Sequence, residues 1–267
     1  MKKNIREGIL VLDFGSQYVQ LIARRIRENR VHSIVESPGI SIAKIKELNP
    51  EGIVFSGGPS SVYDKGAPGF DKRIFDLGIP ILGICYGMQL IGKINGGNIR
   101  KSGKREYGST TVKFRRQNPL FKSISVKSVT WMSHRDKVEK LPKGFEIIAT
   151  SENTPCAAFY SSEKGLYGVQ FHPEVVHTEE GGKILRNFLF NVCDCKKTWT
   201  MKSFIEKKIS DIEEQVGDNN VILGLSGGVD STVSAVLLHK ALGKKLHCIF
   251  VDNGLLRKGE RERVEKG

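Results

Sequence analysis

In the stretch IPILGICYGMQLIG, residues 79–92, Cys85 stands between Gly83 and Gly87, directly after a short apolar run. GICYG has the glycine–x–nucleophile–x–glycine form in which a strand turns sharply into a helix. Glycines lack a Cβ, so strand and helix can approach closely and the residue between them can take a strained dihedral. The helix that begins near Tyr86 directs its positive N-terminal end at the sulfur, which favours thiolate over thiol. The pattern predicts an activated cysteine nucleophile. A buried core cysteine is the alternative, and five residues alone do not separate the two.

A nucleophile needs a base and a place for developing negative charge. YGVQFHPE offers His172 at a strand end and Glu174 two residues on, where period-two geometry puts both side chains on one side and lets a carboxylate orient the imidazole. Pro173 between them stiffens the chain. A solvated or hydrogen-bonded histidine is the plainer alternative. The SGGP loop, Ser56 to Pro59, supplies backbone N–H groups that can approach a substrate, and the Tyr86 N–H lies at the helix start beside the sulfur. One such donor is worth about 3 kcal/mol to an oxyanion. A simple tight turn would also account for Gly57 and Gly58.

A second chemical signal is LSGGVDS, residues 225–231: a strand, a glycine loop and a helix start, which together form an anion cradle. It lacks the terminal lysine of the G-x-x-x-x-G-K-[ST] loop.

The elements that must position these residues read as alternating strands and helices. GILVLDFG, HSIVES, EGIVFSGGP and PILGIC predict strands; YVQLIARRIREN, SIAKIKEL and GFDKRIFDLG predict helices. This half predicts an open, mostly parallel sheet whose loops after IVFS and PILGI converge beyond the carboxyl ends of the strands. From about residue 98 to 170 the texture becomes period-two, as in GSTTVKF, KSVTWMS, FEIIATS and CAAFYSS, which predicts antiparallel strands; LYGVQFHPE is a further strand and EEGGKILRNFLFNVC a closing helix. After the connector KKTWT, the run MKSFIEKKISDIEEQVG, NVILGLSGG, DSTVSAVLLHKALG and LHCIFVDNG predicts a second βαβ unit, which reads as incomplete. The expected division is a first domain over 1–195, a linker over 196–202 and the N-terminal part of a second α/β domain over 203–267.

Composition narrows the classes. The 267 residues are 39% hydrophobic and 27% charged, the proportions of a soluble globular protein. No apolar run approaches the roughly 20 residues of a membrane span, and the N-terminus has no apolar signal core, so a cytoplasmic location is expected. Five cysteines, an odd number, argue against a disulfide framework, and the lone Cys193-x-Cys195 has no partner pair at zinc spacing. The net charge of +13 is spread along the chain without a basic helix or aromatic–basic interleaving, which argues against nucleic acid as the partner and suits an anionic small substrate.

GICYGMQ, FSGGP and VQFHPEV together resemble the class I glutamine amidotransferases. The opening ILVLDFGSQYVQLIARRIRE, the internal EYG and WMSHRDKV, and VILGLSGGVDST narrow the resemblance to the glutamine-hydrolysing GMP synthase family, over essentially the whole chain. It implies a class I amidotransferase fold followed by the first part of an adenine nucleotide hydrolase-like α/β domain. It implies that Cys85 attacks glutamine, that His172 shuttles the proton and that Glu174 orients His172. Gly58 and Tyr86 amides would hold the oxyanion, and Gln89, Ser133 and His134 would contact glutamine. The LSGGVDS loop resembles that of N-type ATP pyrophosphatases, so Ser226, Gly227, Gly228, Val229, Asp230 and Ser231 would surround ATP phosphates. Asp230 would help to hold Mg²⁺, and backbone near Val251 would meet adenine. The implied reaction is ATP-dependent amination of XMP to GMP with release of AMP and diphosphate. The implied assembly is a homodimer through a C-terminal region, and the 267 residues would keep only the glutaminase chemistry. An amidotransferase for another acceptor, or a stand-alone γ-glutamyl hydrolase, is the alternative. Arg135 stands where the family usually has glycine; if that position needs a positive φ, arginine is strained there. The basic stretch KSGKREYG is left without a role.

Overall fold

A computed structural model describes residues 8–59, 61–115 and 117–252 and a few isolated positions beyond, with the side chains of 101–105 excepted. It divides into two compact units, Met1–Thr198 and Trp199–Gly267.

The first unit is built on a nine-stranded sheet. In chain order its elements are β1 (Ile9–Leu12), α1 (Val19–Glu28), β2 (Ser33–Glu36), α2 (Ile42–Leu48), β3 (Gly52–Phe55), β4 (Ile81–Ile84), α3 (Tyr86–Ile94), β5 (Asn98–Phe114), β6 (Lys127–Lys140), β7 (Glu146–Thr150), β8 (Ala158–Ser161), β9 (Leu166–Val169) and α4 (Gly181–Asn187). The strand order is β2-β1-β3-β4-β9-β8-β7-β5-β6. β2, β1, β3, β4 and β9 run parallel, and β8, β7, β5 and β6 join antiparallel. The mixed sheet expected from the change of texture near residue 98 is the one observed.

The parallel strands are short apolar runs because both faces are covered. Ile9, Val11, Val54, Leu82 and Ile84 face one core with Ile22 and Ile26 of α1 and Ile184 and Leu185 of α4. Leu10, Leu12, Ile53, Phe55 and Ile81 face a second core with Ile45 of α2 and Met88 and Ile91 of α3. Successive residues of one strand thus feed opposite cores, and no polar alternation is left to see.

Two predicted helices take other forms. GFDKRIFDLG gives only a 3₁₀ segment, Lys72–Leu77: the Asp71 side chain accepts the Arg73 N–H at its start, and Gly78 at φ 66° ends it. The closing helix runs as α4 and then widens into a π-helical segment, Phe188–Val192, closed by Cys193 N–H donating to the Phe188 carbonyl at 2.9 Å. The C-x-C thiols Cys193 and Cys195 are buried there and unpaired.

The second unit contains α5 (Met201–Val216), β10 (Val221–Leu225), α6 (Val229–Leu242) and β11 (Leu246–Phe250), with β10 and β11 parallel. Thr200 caps α5 through a reciprocal box with Ser203. Among the described residues no helix is long and apolar enough to cross a membrane.

Candidate active site at the carboxyl edge of the sheet

Four adjacent parallel strands, β1, β3, β4 and β9, end at one edge of the sheet, and the chain leaving each supplies part of one site. Cys85 is the single residue between β4 and α3. Its backbone sits at φ 51°, ψ −103°, a left-handed conformation that costs energy for a residue with a Cβ. Its N–H donates to Val169 of β9 at 2.8 Å, and its carbonyl accepts the Gln89 N–H of α3 at 3.1 Å, so the elbow is tied on both sides. A Cβ on Gly83 would lie 2.5 Å from the Gly87 carbonyl carbon, which shows how closely strand and helix pass and why both positions are glycine.

His172 follows β9. Its N–H donates to the Trp131 carbonyl at 3.0 Å, and its own carbonyl accepts from Thr178 Oγ1 at 2.6 Å. The Tyr18 ring packs edge-on against the imidazole at 5.3 Å between centroids. His172 Nδ1 lies 2.8 Å from Glu174 Oε1, and both side chains are buried. β9 ends at Val169, so the pair meets across a turn through Pro173 and not by strand alternation. Burial disfavours the imidazolium, but the hydrogen-bonded Cys85 sulfur and the Glu174 carboxylate outweigh it and hold His172 well above the ordinary histidine range. Sulfur, imidazole and carboxylate therefore form one connected line.

The loop after β3 closes against this line. A Cβ on Gly57 would lie 3.3 Å from His172 Cε1 and 3.9 Å from Cys85 Cβ, and one on Gly58 would lie 2.7 Å from the Phe14 carbonyl and 3.3 Å from the Tyr86 ring. The loop is fixed by Ser56, which accepts the Phe14 N–H at 2.9 Å through Oγ and the Gly87 N–H at 3.2 Å through its carbonyl. Tyr86 is the first residue of α3, so its N–H has no acceptor within the helix. Gly58 thus packs against the Tyr86 ring, while the neighbouring Gly57 is the glycine of this loop that lies against Cys85 and His172.

The third group is supplied by α3 and β6. Gln89 is buried, not on the helix surface; its Nε2 donates to the Asp136 carbonyl at 2.8 Å and to Gln170 Oε1 at 3.2 Å. The Ser133 carbonyl accepts from Cys85 Sγ over 3.6 Å. His134 is turned into the protein, with Nδ1 3.1 Å from the Asp136 carbonyl and Nε2 3.3 Å from Glu106 Oε2, too poorly aligned for a hydrogen bond. Burial pushes His134 below the ordinary histidine value, against the pull of the Glu106 carboxylate. Arg135 lies within β6, is exposed, and is not among the residues with positive φ, so the arginine carries no left-handed strain. A cavity of about 320 Å³ lies behind the turn, lined by Arg25, Pro173, Glu174, Thr178 and others, but not by Cys85 or His172.

Sequence reasoning missed Gln170, Trp131, Thr178 and Tyr18 as neighbours of the sulfur and imidazole. Gln170 lies two residues before His172 and Trp131 two before Ser133, but neither spacing by itself marks a role.

The second unit holds its predicted residues in one exposed strand–loop–helix. Gly227 has φ 76°. Ser226 Oγ and Ser231 Oγ are 3.1 Å apart, and the Gly228 N–H donates to Ser226 Oγ at 3.4 Å. Val229, Asp230 and Ser231 form the first turn of α6, whose N–H groups have no intrahelical acceptor. Val251, just past β11, is exposed. Among the described residues no three His, Cys, Asp or Glu side chains are placed to hold a metal. Asp230 is an exposed carboxylate beside the amide cradle, a donor set that fits Mg²⁺ bound through one carboxylate and phosphate oxygens.

Comparison with known proteins finds relatives over nearly the whole chain. The chain is 57% identical over 97% of its length to the GMP synthase [glutamine-hydrolyzing] of Caldicellulosiruptor saccharolyticus, and 55% identical over 99% to that of Brachyspira hyodysenteriae; in each case it covers 51% of the relative. The chain spans about half the length of the curated relatives it matches. A solved protein of Thermoplasma acidophilum, provisionally described as one subunit of a GMP synthase, superposes with TM-score 0.65 at 30% identity, over 76% of this chain and 99% of that one. The NAD synthase family model matches residues 199–253. The family model "Glutamine amidotransferase class-I" matches residues 10–192, the sheet and site described above, and the chain belongs to that family.

Proposed function

We propose that this chain is the glutamine-hydrolysing part of a GMP synthase, with the nucleotide-binding loop of its synthetase part attached. The observation that carries the reading is the line Cys85–His172–Glu174, with His172 Nδ1 2.8 Å from Glu174 and the sulfur on a left-handed elbow at a helix start. In this reading the Cys85 sulfur adds to the side-chain amide carbon of glutamine. The oxyanion is held by the Gly58 and Tyr86 N–H groups. His172 gives a proton to the departing nitrogen, which leaves as ammonia, and a γ-glutamyl thioester remains. Water, deprotonated by His172, then cleaves the thioester to glutamate. Glu174 keeps the imidazole oriented through both steps. In this reading Gln89, Ser133 and His134 would contact glutamine; of these, Ser133 faces the sulfur, through its carbonyl at 3.6 Å.

The ammonia would displace AMP from XMP activated by ATP. Ser226, Gly227, Gly228, Val229, Asp230 and Ser231 would bind the ATP phosphates through the loop and first helical turn, and Val251 would meet adenine. Asp230 would hold Mg²⁺, which when bound neutralises charge on those phosphates. The domain division 1–195, 196–202 and 203–267 is supported by the break between compact units after Thr198 and by the gap between the two family matches.

The test is glutamate release from glutamine. The 267-residue chain releases glutamate, and Cys85→Ala abolishes it; equal release by the variant overturns the reading. An amidotransferase for another acceptor is separated by ATP–diphosphate exchange in the full-length protein, which depends on XMP only if the GMP synthase reading holds.

A further inference from the structure

Gln170 is fully buried immediately past β9, and neither the Cys–His–Glu line nor the oxyanion donors account for it. Its Nε2 donates to the Cys85 sulfur over 3.5 Å. Its Oε1 accepts from Gln89 Nε2 at 3.2 Å, and the same Gln89 nitrogen donates to the main-chain carbonyl of Asp136 at 2.8 Å. This series of bonds has one sense. A main-chain carbonyl only accepts, so Gln89 must turn its NH₂ towards Asp136. That NH₂ also meets Gln170, which must answer with its oxygen. The other end of the Gln170 amide, the end that faces the sulfur, is therefore NH₂. Turning either amide over would set two acceptors or two donors face to face in a dry interior.

We propose that Gln170 is a further catalytic residue of this site: a donor locked in orientation by Gln89 and Asp136 that stabilises the Cys85 sulfur in its negatively charged form. The inference rests on the reading of Cys85 as the nucleophile. The groups facing the sulfur oppose one another. The Ser133 carbonyl, 3.6 Å away, can only accept, and so favours the thiol. Gln170 and His172, the latter backed by Glu174, donate and so favour the thiolate. A donor to a thiolate makes a charge-assisted bond, whereas a thioester sulfur is a weak acceptor. Gln170 thus aids the sulfur most before attack and again when it is expelled from the thioester.

The test is iodoacetamide alkylation of the 267-residue chain across pH 5–10, read at the Cys85 peptide by mass spectrometry. Gln170→Met keeps the buried volume and removes the N–H; it raises the pH midpoint of Cys85 alkylation by about one unit. Gln170→Leu makes the same test should the methionine variant fail to fold. Gln89→Met, which removes the lock, raises the midpoint by less. A midpoint unmoved in a folded Gln170 variant overturns the inference, and one unmoved in Gln89→Met overturns the locking. If Cys85→Ala still hydrolyses glutamine, the nucleophile reading has failed and this inference with it. If glutaminase depends on Cys85 and the midpoint stays put, only the role of Gln170 fails.

Discussion

His172 illustrates how much of the site is decided by single contacts. Its folded-state value lies above the unfolded value of about 6.5, because the Cys85 and Glu174 contacts outweigh burial. Such a group adds stability that is fully present below about pH 6.5 and is lost as pH rises through the folded value. Glu174→Gln removes one of the two contacts. The melting temperature of the parent should exceed that of the variant most near pH 6, and the gap should narrow as pH climbs; a gap that widens with pH contradicts this. The same substitution should lower glutaminase kcat by about 10²–10⁴-fold, since it unseats the base. Cys85, His172 and Glu174 were legible because each sits in a short motif with its own physical logic. Gln170 was not, because its meaning comes from Gln89 and Asp136, far away in the chain. The concern raised by Arg135 came from a glycine at that position in relatives, and the strand conformation here removes it.

At the scale of elements, the elbow depends on how closely β4 and α3 pass. Gly83→Ala would place a Cβ 2.5 Å from the Gly87 carbonyl carbon and 2.6 Å from the Met88 nitrogen, both main chain. It should cost about 1–3 kcal/mol in urea unfolding, as overpacking does. Gly182, in the first turn of α4, has nothing within 4 Å of a built Cβ. Gly182→Ala should raise stability by about 0.5–1 kcal/mol. Equal effects at the two glycines would contradict the packing described. The parallel strands were legible as uninterrupted apolar runs because two cores cover them. The 3₁₀ segment at 72–77 and the π-helical turn at 188–192 were not, since each keeps the apolar spacing of a helix. What separates them is the local hydrogen-bond pattern.

At the scale of the whole molecule, the two units present different sets of residues, and each set stands out in the sequence as a motif of its own. Unit one presents a complete line of sulfur, imidazole and carboxylate. Unit two presents a phosphate-type loop on a two-stranded sheet, with Ile222, Val233, Val236 and Ile249 exposed. The account therefore expects the 267 residues to hydrolyse glutamine yet to form no GMP from XMP and ATP, read as nucleotide products by chromatography. GMP formation by this chain alone would contradict that division of labour. The central claim is that Cys85 is the nucleophile. Burial pushes the Cys156 thiol up to about 12 and Cys193 well above the usual thiol range, so neither competes, while Cys248 is exposed. Treatment with a glutamine-analogue electrophile, followed by peptide mass spectrometry, tests the claim most directly. The account predicts one label per chain, on Cys85, blocked by excess glutamine; labelling of Cys248 instead, or labelling of Cys85 that glutamine does not slow, would contradict it.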